Sequence, residues 1–287
     1  MKSSEPPDSF QSYESLDACP VCDSSRIQLA FPPDVIRCEV CRVYAMSPRP
    51  SIEEIWRVYN TGLTYRHWAG EREIRQQLWQ IRMDKILRHT HPGRILDIGT
   101  GDGHFLSLCQ DAGFKVDATE ISSHGLELCR ERGFNPRLGA LTDLNWDGRR
   151  FDVITLWHVL EHLPNPGKAL KLAYELLEPG GLLVVAVPNE ETRLFPHRWW
   201  PRTKNPMGKL YWGNEVHIIF FQPQTLLSTL RRFGFEVMEF GVDNVETHPN
   251  WRTHCQQFGH TILSVLTQWH LYMAMYAIVR KPYESKL

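Results

Sequence analysis

The sequence predicts an α/β domain with a parallel sheet, preceded by a small cysteine-rich ribbon. Short apolar runs alternate with helical segments after residue 93, and such alternation produces parallel strands joined by right-handed crossovers. A glycine-rich turn follows the first of these runs, and two Cys-x-x-Cys pairs lie upstream of it. These three observations define the expected architecture.

Length and charge favour a cytoplasmic protein. The 287 residues suit one α/β domain with a small appendage, and the net charge of -1 provides no general attraction to nucleic acid or anionic membrane. Residues 1–8 contain no apolar core, so we expect no signal peptide. The apolar stretch 271–279 is too short to span a bilayer. Nothing in the sequence specifies an oligomeric state.

The N-terminal part is expected to form a flexible tail over residues 1–16 and a zinc ribbon over residues 17–48. Fifteen residues separate two cysteine pairs, which are Cys19 with Cys22 and Cys38 with Cys41. Each pair fits a tight turn, and four thiolates complete a tetrahedral zinc site. The alternative of two disulfides is disfavoured in the absence of a secretory signal.

A helical linker or cap is expected over residues 49–92. Ser51 and Glu54 form a capping box for a short first helix. A longer helix over residues 67–89 is expected to bury one apolar face, which carries Ile74, Leu78 and Ile81. We expect the arginines of this helix to lie in solvent.

The glycine-rich turn indicates a site for a nucleoside cofactor. An apolar run ends in Asp97, and glycines follow at positions 99, 101 and 103. Glycine lets the backbone turn tightly and pass close to a ligand, and the next helix directs its N-terminal amides at that ligand. Glu120 ends the next apolar run, where an acid can bind ribose hydroxyls. A dinucleotide fingerprint needs Gly or Ala where His104 stands, so NAD is excluded.

The pattern Asp-x-Gly-x-Gly-x-Gly resembles the first motif of class I S-adenosylmethionine-dependent methyltransferases. Residues 151–163 and 176–189 look like the fourth strand with its exit and the helix, turn and fifth strand of that family. The resemblance implies a Rossmann-like, seven-stranded methyltransferase sheet over residues 93–287. With the ribbon included, the chain is similar to bacterial methyltransferases that act on sugars, surface-glycan precursors or secondary metabolites.

S-adenosylmethionine is the cofactor that this resemblance implies. The residues expected to contact it are Asp97, Gly99, Thr100, Gly101, Gly103, Glu120, Ile121, Leu141 and Trp157. The family usually places an acid after the third strand to read the adenine amino group, whereas this chain has Ala140 there. The backbone of Leu141 and the carboxylate of Asp143 are the candidate substitutes.

The catalytic residues are expected just after the fourth strand, because ligands of open parallel sheets bind beyond the carboxyl ends of the strands. Methyl transfer needs in-line positioning and a base for the acceptor, and histidine titrates in the right range. The candidates are His158, Glu161, His162 and the more distant His217. The alternative, in which these histidines only cap a helix or bond the loop, stays open.

The motif His-x-x-Glu-His, at residues 158–162, also suggests a second metal site. On a helix, His158 and His162 would share one face and hold one ion. The motif matches inverzincin proteases, which need no glycine loop upstream. It also resembles the metal site of small-RNA 2′-O-methyltransferases, where Glu161 and His162 would bind the ion, His158 would replace an acid and His217 would be the later ligand.

Two further segments bear on the acceptor. Residues 191–222 combine arginines and lysines with aromatic residues, and related enzymes place a substrate lid there. Such a lid suits a phosphorylated acceptor or a nucleotide-sugar. Residues 251–268 are expected to form a helical insert that the fold does not require.

The leading hypothesis is methyl transfer from S-adenosylmethionine to a small-molecule acceptor, at a hydroxyl of a sugar, nucleotide-sugar or secondary metabolite. An RNA methyltransferase, with or without a metal for 2′-O chemistry, is the first alternative. The modest basicity of the ribbon disfavours nucleic acid as a partner. A non-catalytic cofactor-binding scaffold is the second alternative, and only the alanine at position 140 suggests it.

Overall fold

The computed structural model describes residues 10–30, 33–61, 72–190, 211–212, 215–243 and 274–283. The expected insert at 251–268 lies outside the described residues. So do residues 191–210 and 213–214 of the expected lid. Among the described residues, no helix is long and apolar enough to cross a bilayer.

The N-terminal part contains five short strands and one helix. They are β1 (Tyr13–Glu14), β2 (Ile27–Leu29), β3 (Val35–Cys38), β4 (Tyr44–Met46), β5 (Arg49–Pro50) and α1 (Ile52–Asn60). Strands β2, β3 and β4 pair antiparallel and form the ribbon. Strand β1 pairs with β5, so an ordered strand lies inside the segment 1–16 that was expected to be a tail.

Helix α1 begins at the predicted capping residue, because the Ser51 side chain accepts a hydrogen bond from the amide of Glu54. The next helix, α2 (Arg72–Leu87), ends two residues before the predicted end at 89, and residues 67–71 of the prediction lie outside the described residues. Its buried side differs from the prediction: Ile81 is 46% exposed, whereas Arg82 is only 3% exposed. The buried stripe runs from Leu78 through Arg82 to Ile86 at four-residue spacing and leaves Ile81 at its edge. The expectation that the arginines of this helix lie in solvent is therefore wrong for Arg82.

The remaining elements alternate strands with helices, as predicted. The first group is β6 (Arg94–Ile98), α3 (His104–Asp111), β7 (Lys115–Glu120), α4 (Ser123–Glu131), β8 (Arg137–Leu138), β9 (Phe151–Trp157), α5 (Pro166–Leu176) and β10 (Leu177–Pro188). The second is β11 (Tyr211–Trp212), β12 (Glu215–Val216), β13 (Ile219–Phe220), α6 (Pro223–Arg232), β14 (Glu236–Val242) and β15 (Ala274–Arg280).

The seven-stranded sheet implied by the resemblance is confirmed. Its strand order is β14-β15-β10-β9-β6-β7-β8. Neighbours from β8 to β10 pair in parallel, whereas β15 runs antiparallel to both β10 and β14, so the sheet is not parallel throughout. The carboxyl ends of β9, β6 and β7 lie side by side, and ligands of such sheets bind at this edge.

The ribbon is attached to this sheet by hydrogen bonds and by a shared core. Strand β13 pairs with β4 and makes the ribbon sheet four-stranded. Ribbon residues such as Val35 and Met46 pack in the same apolar cluster as Leu156 and Leu183. The first cysteine turn also contacts α5 so closely that a Cβ on Gly167 would lie 2.1 Å from the Val21 carbonyl oxygen.

Candidate active site

The glycine-rich loop adopts a backbone that other residues rarely take. Gly99, Gly101 and Gly103 have φ angles of 69°, 64° and 73°. A Cβ on Gly99 would lie 2.7 Å from a methyl group of Val159, and one on Gly103 would lie 2.9 Å from the thiol of Cys129. Glycine is therefore required here both for conformation and for space.

Glu120 joins the end of β7 to this loop. One carboxylate oxygen accepts a hydrogen bond from the Gly101 amide at 2.7 Å, and the other accepts from the amides of Ile121 and Ser122 at 2.8 Å each. The carboxylate is buried and lines a cavity beside the glycine-rich loop. These bonds fix the carboxylate at the wall of the cavity.

Asp97 lies at the carboxyl end of β6 and is also buried. Burial raises the pKa of this carboxyl to about 7, although the Thr155 hydroxyl donates a hydrogen bond to it at 2.6 Å. The neighbouring carboxylate of Glu120 adds to the increase in pKa. A cationic ligand group would favour the charged form of Asp97.

A cavity of about 290 Å³ opens between the glycine loop, the end of β9 and helices α1 and α2. All the predicted cofactor residues except Gly103 line it, and Gly103 instead turns the chain into α3. His158 and His162 line it as well, whereas Glu161 and His217 do not. Sequence reasoning did not identify the lining residues from the two helices, among them Ile55, Trp56, Tyr59, Arg75, Trp79 and Arg82.

Backbone and apolar groups form the end of the cavity at which the sequence placed an adenine. Ala140 and Leu141 line it, and Leu141 begins a 3₁₀ turn, Leu141–Asp143. The Leu141 carbonyl accepts a hydrogen bond from the Trp146 indole at 3.1 Å. Asp143 is exposed and is not a lining residue, so it does not fill the place of the missing acid.

The chain leaves β9 through a sharp turn. His158 has a φ of 55°, and Leu160–His162 form a 3₁₀ turn in place of the helix on which His158 and His162 would have shared a face. His158 Nε2 lies 3.0 Å from Asp243 Oδ2, and its Nδ1 lies 3.5 Å from Glu161 Oε1. Burial alone would lower the pKa of His158, but these two carboxylates raise it to about 9.

Glu161, His162 and His217 form a buried cluster, with one potential ligand atom from each within 4.8 Å of the others. The predicted fourth member, His158, is outside this group. Glu161 is 1% exposed, and within the described part of the chain neither carboxylate oxygen accepts a hydrogen bond. Burial alone would raise the Glu161 pKa, but the nearby imidazoles of His162, His158 and His217 lower it.

The imidazole of His162 is oriented by a backbone oxygen. Nδ1 of His162 lies 2.7 Å from the Val216 carbonyl oxygen, which can only accept, so Nδ1 carries the proton. Nε2 of His162 then faces Glu161 Oε1 at 3.9 Å. Nδ1 of His217 lies 3.6 Å from Glu190 Oε1.

A second buried charge network lies beside the cavity, and sequence reasoning missed it. The Arg82 guanidinium donates to both carboxylate oxygens of Asp243, at 3.2 and 2.5 Å. Its carbon lies 4.5 Å from the ring centre of Trp79 and 4.6 Å from that of Trp157. Asp243 follows β14 and belongs to no motif, so the sequence offered no signal for it.

The four predicted zinc ligands converge as free thiols. The Sγ atoms of Cys19 and Cys41 are 3.4 Å apart, and those of Cys22 and Cys38 are 3.5 Å apart. The amides of Val40 and Cys41 donate to the sulfur of Cys38. A hydrogen bond with the Cys41 thiol lowers the pKa of Cys19 to about 5. Four clustered sulfurs on tight turns fit tetrahedral zinc.

Comparison with known proteins shows the family. Residues 71–239 match the family model described as "Methyltransferase domain", which is more than half of the chain. The chain belongs to this methyltransferase family. A class I methyltransferase was the expectation from the sequence, and it is confirmed, as is the expectation that the protein is an enzyme.

Relatives and solved structures agree with this assignment. A ubiquinone biosynthesis O-methyltransferase of Burkholderia orbicola (strain MC0-3) is 25% identical to the methyltransferase over 200 residues, which are 65% of this chain and 84% of the relative. The enzyme of the same name from Caulobacter sp. (strain K31) is 35% identical over 104 residues, which are 33% of this chain and 41% of the relative. A solved S-adenosylmethionine-dependent methyltransferase of Thermotoga maritima, described as a possible histamine N-methyltransferase, has a TM-score of 0.54 at 19% identity. It covers 79% of this chain and 99% of that one, and it supports the fold alone.

The cavity of the methyltransferase accordingly suits its family's methyl donor, S-adenosylmethionine. The glycine loop approaches the cavity without side chains, and the buried carboxyls of Glu120 and Asp97 line it, which fits a ligand with hydroxyl and cationic groups. Arg75 contributes a further charge at the rim, where its guanidinium donates to the Asp102 carboxylate at 2.9 and 3.1 Å.

Proposed function

We propose that the methyltransferase methylates a hydroxyl group of a small-molecule acceptor, with His162 as the base. The observation that carries this proposal is the position of His162. Its ring lines the cavity at the end of β9, and its Nδ1 hydrogen bond to Val216 leaves Nε2 as the nitrogen that can accept a proton. Tyr59, whose hydroxyl lies 2.9 Å from the same Nδ1, helps to fix the ring.

When bound, S-adenosylmethionine supplies an activated methyl group, so the chain needs to orient the two substrates and remove one proton. We assign Glu120 to the ribose hydroxyls and Asp97 to the amino group of the donor. Ile121 and Leu141 would flank the adenine, because both line the cavity beyond Glu120. The acceptor oxygen gains the methyl group as its proton passes to Nε2 of His162.

The acceptor side of the cavity favours a ring-shaped molecule. Helix α1 contributes Ile55, Trp56 and Tyr59 to the wall, and the loop after His162 contributes Leu163 and Pro164. Aromatic and apolar walls suit the face of a sugar or another ring, with few polar groups setting its orientation. We therefore propose a sugar, nucleotide-sugar or ring-bearing secondary metabolite. In this proposal the basic residues of segment 191–210 bind any phosphate.

We also propose that Cys19, Cys22, Cys38 and Cys41 hold one structural zinc ion. The distances between their sulfurs and the amide hydrogen bonds to Cys38 support this assignment. The ion would supply folding free energy to the ribbon and take no part in methyl transfer.

A metal-assisted version of the same reaction is the second candidate. Glu161, His162 and His217 would be the ligands, and the observation that favours it is the buried Glu161 carboxylate, which accepts no hydrogen bond from the described residues. A divalent ion there would lower the pKa of a bound acceptor hydroxyl. Metal analysis distinguishes the two versions, because the ribbon alone predicts one ion per chain and the second site predicts two.

The acceptor is tested by incubating the protein with labelled S-adenosylmethionine and three acceptor sets: nucleotide-sugars and sugars, phenolic metabolites, and RNA transcripts. Label transfer to a sugar or other small hydroxyl compound is the expected result. Transfer to RNA alone would overturn the small-molecule proposal and support the alternative. Calorimetry with S-adenosylmethionine, run in parallel, separates a missing acceptor from a missing donor site, and the absence of binding would overturn the proposed function.

A further inference from the structure

We propose that Asp243, together with Arg82, is a positioning residue of the methyl-transfer site. The pair holds His158 in its left-handed conformation and, through His158, directs the carboxylate of Glu161 towards His162 and His217. This inference rests on the proposed function, because it assigns Glu161 and the two histidines to the reaction.

The contacts form a continuous chain from helix α2 to the catalytic cluster. Arg82 donates two hydrogen bonds to Asp243, whose Oδ2 lies 3.0 Å from Nε2 of His158. Nδ1 of His158 lies 3.5 Å from Oε1 of Glu161, and that same oxygen lies 3.9 Å from Nε2 of His162. Four structural segments thus contribute one charged group each: α2, the residue after β14, the turn after β9, and the 3₁₀ turn.

Burial makes the balance of charge in this chain strict. Arg82 and Asp243 are 3% and 2% exposed, and Glu161 is more deeply buried still. Arg82 offsets the charge of Asp243, and Nε2 of His158 gives the same carboxylate a second polar partner. Lys85 is a further cation near Asp243, and it lies one helical turn beyond Arg82.

This arrangement separates the roles of the histidines. Both nitrogens of His158 face carboxylates, so His158 is suited to donate hydrogen bonds and not to accept the acceptor's proton. The network also explains the unusual backbone of His158, since a non-glycine residue at a φ of 55° needs surrounding contacts to hold it. Its amide donates to the Ala186 carbonyl at 2.9 Å, which completes those contacts.

The network differs from a purely structural ion pair because it ends at the reacting groups. If Asp243 loses its carboxylate, Nε2 of His158 loses that partner, and the ring is no longer held in its left-handed turn. The contact of Nδ1 with Glu161 is then weakened, and Glu161 is no longer held towards His162. The expected consequence is slower methyl transfer, with S-adenosylmethionine still bound by the glycine loop and Glu120.

Asp243→Asn tests the proposal, with the amide replacing the carboxylate at nearly constant size. We expect kcat to fall by about ten- to a hundred-fold, the range typical of residues that hydrogen-bond to the groups of a site without contacting the substrate. The dissociation constant for S-adenosylmethionine should change by less than about twofold, and Asp243→Glu, which keeps the carboxylate, should recover part of the lost kcat. Glu239→Gln is the matched control: it lies on β14 and breaks ion pairs with Arg88 and His89 away from the cavity.

Nuclear magnetic resonance of the His158 ring supplies a readout that needs no acceptor. In the wild type the proton on Nε2, which bonds to Asp243, should exchange slowly with solvent, and Asp243→Asn should make this exchange faster. A wild-type Nε2 proton without protection from exchange would overturn the inference even if the variant does not fold. A folded variant with wild-type kcat would overturn it as well. If no acceptor is ever methylated, the proposed function fails on its own, while the proton exchange still decides the inference.

Discussion

The backbone amide of Ile218 donates a hydrogen bond to the carbonyl oxygen of Glu161 at 3.0 Å. The carbonyl of Ile218 in turn accepts a hydrogen bond from the amide of Met46, in the ribbon, at 2.9 Å. Arg49 reinforces this link by donating from its guanidinium to the Pro164 carbonyl at 2.7 Å. The ribbon therefore holds the two chain segments that carry Glu161, His162 and His217.

Loss of the ribbon's metal is expected to impair catalysis before it impairs donor binding. Cys38→Ser removes one of the four sulfurs and should lower the zinc content, the melting temperature and kcat together. The affinity for S-adenosylmethionine should change little, because the glycine loop and Glu120 make none of these ribbon contacts. Metal analysis, thermal unfolding and calorimetry on the same preparation measure the three quantities.

Cys22→His is the control for the ribbon, since three cysteines and one histidine also make a structural zinc site. This variant should keep the metal and most of the activity. Full turnover in a Cys38→Ser protein that contains no zinc would contradict the proposed coupling.

Substitution of Gly101 is expected to abolish donor binding. Valine at a φ of 64° is strained and would displace the amide that donates to Glu120. Calorimetry should detect no binding of S-adenosylmethionine, while the zinc content stays unchanged. Gly148→Val is the matched control, because Gly148 has a φ of 70°, an open surrounding and no place in the cavity. Equal loss of binding in both variants would attribute the effect to strain alone.

The sequence was sufficient to predict the parts of the site that depend on local motifs. The glycine loop needs glycine at fixed spacing, the acid at position 120 follows a strand, and the cysteine pairs form turns, so each could be found without a structure. The sheet followed from the alternation of strands and helices.

The sequence could not predict the groups that only tertiary structure brings together. Arg82 and Asp243 are separated by 161 positions, and a buried arginine on a helix looks the same in sequence as an exposed one. The motif around His158 was interpreted as a helix, but a left-handed residue breaks it, and that conformation depends on contacts with Asp243 and Ala186. The pairing of the ribbon with β13 is likewise a long-range contact with no local signal.

Asp97 is expected to make the stability of the donor-free protein depend on pH. Burial raises its pKa from 3.8 to about 7, so the unfolded carboxyl ionises before the folded one as pH increases. Its contribution to stability is therefore fully present below about pH 4 and is lost as pH rises to about 7. This difference in pKa corresponds to about 4 kcal/mol in the free energy of unfolding, as an order of magnitude.

Asp97→Asn isolates this effect, because the amide oxygen can still accept the hydrogen bond from Thr155. Urea unfolding at pH 5 and pH 8 should show that the variant gains stability relative to the wild type as pH rises. Other carboxylates act in the opposite direction, since Arg82 and His158 hold the pKa of Asp243 below its usual range. The comparison between the two proteins cancels their contribution, and an equal pH dependence in both would exclude Asp97 as its source.

Removal of the proposed base should separate turnover from donor binding. His162→Ala is expected to lower kcat by about a hundred-fold or more, the range of general-base catalysis, with S-adenosylmethionine affinity maintained. His217→Ala should be as slow only in the metal-assisted version, because its ring does not line the cavity. His162→Gln should be nearly as slow, since an amide can bond to Val216 but does not accept a proton. His91→Ala, at an exposed position before β6, is the control. If added divalent metal restores turnover in neither His162→Ala nor His217→Ala, and if wild-type activity is unchanged by a chelator, the metal-free mechanism is supported. If His162→Ala and His162→Gln both turn over at the wild-type rate, the base lies elsewhere.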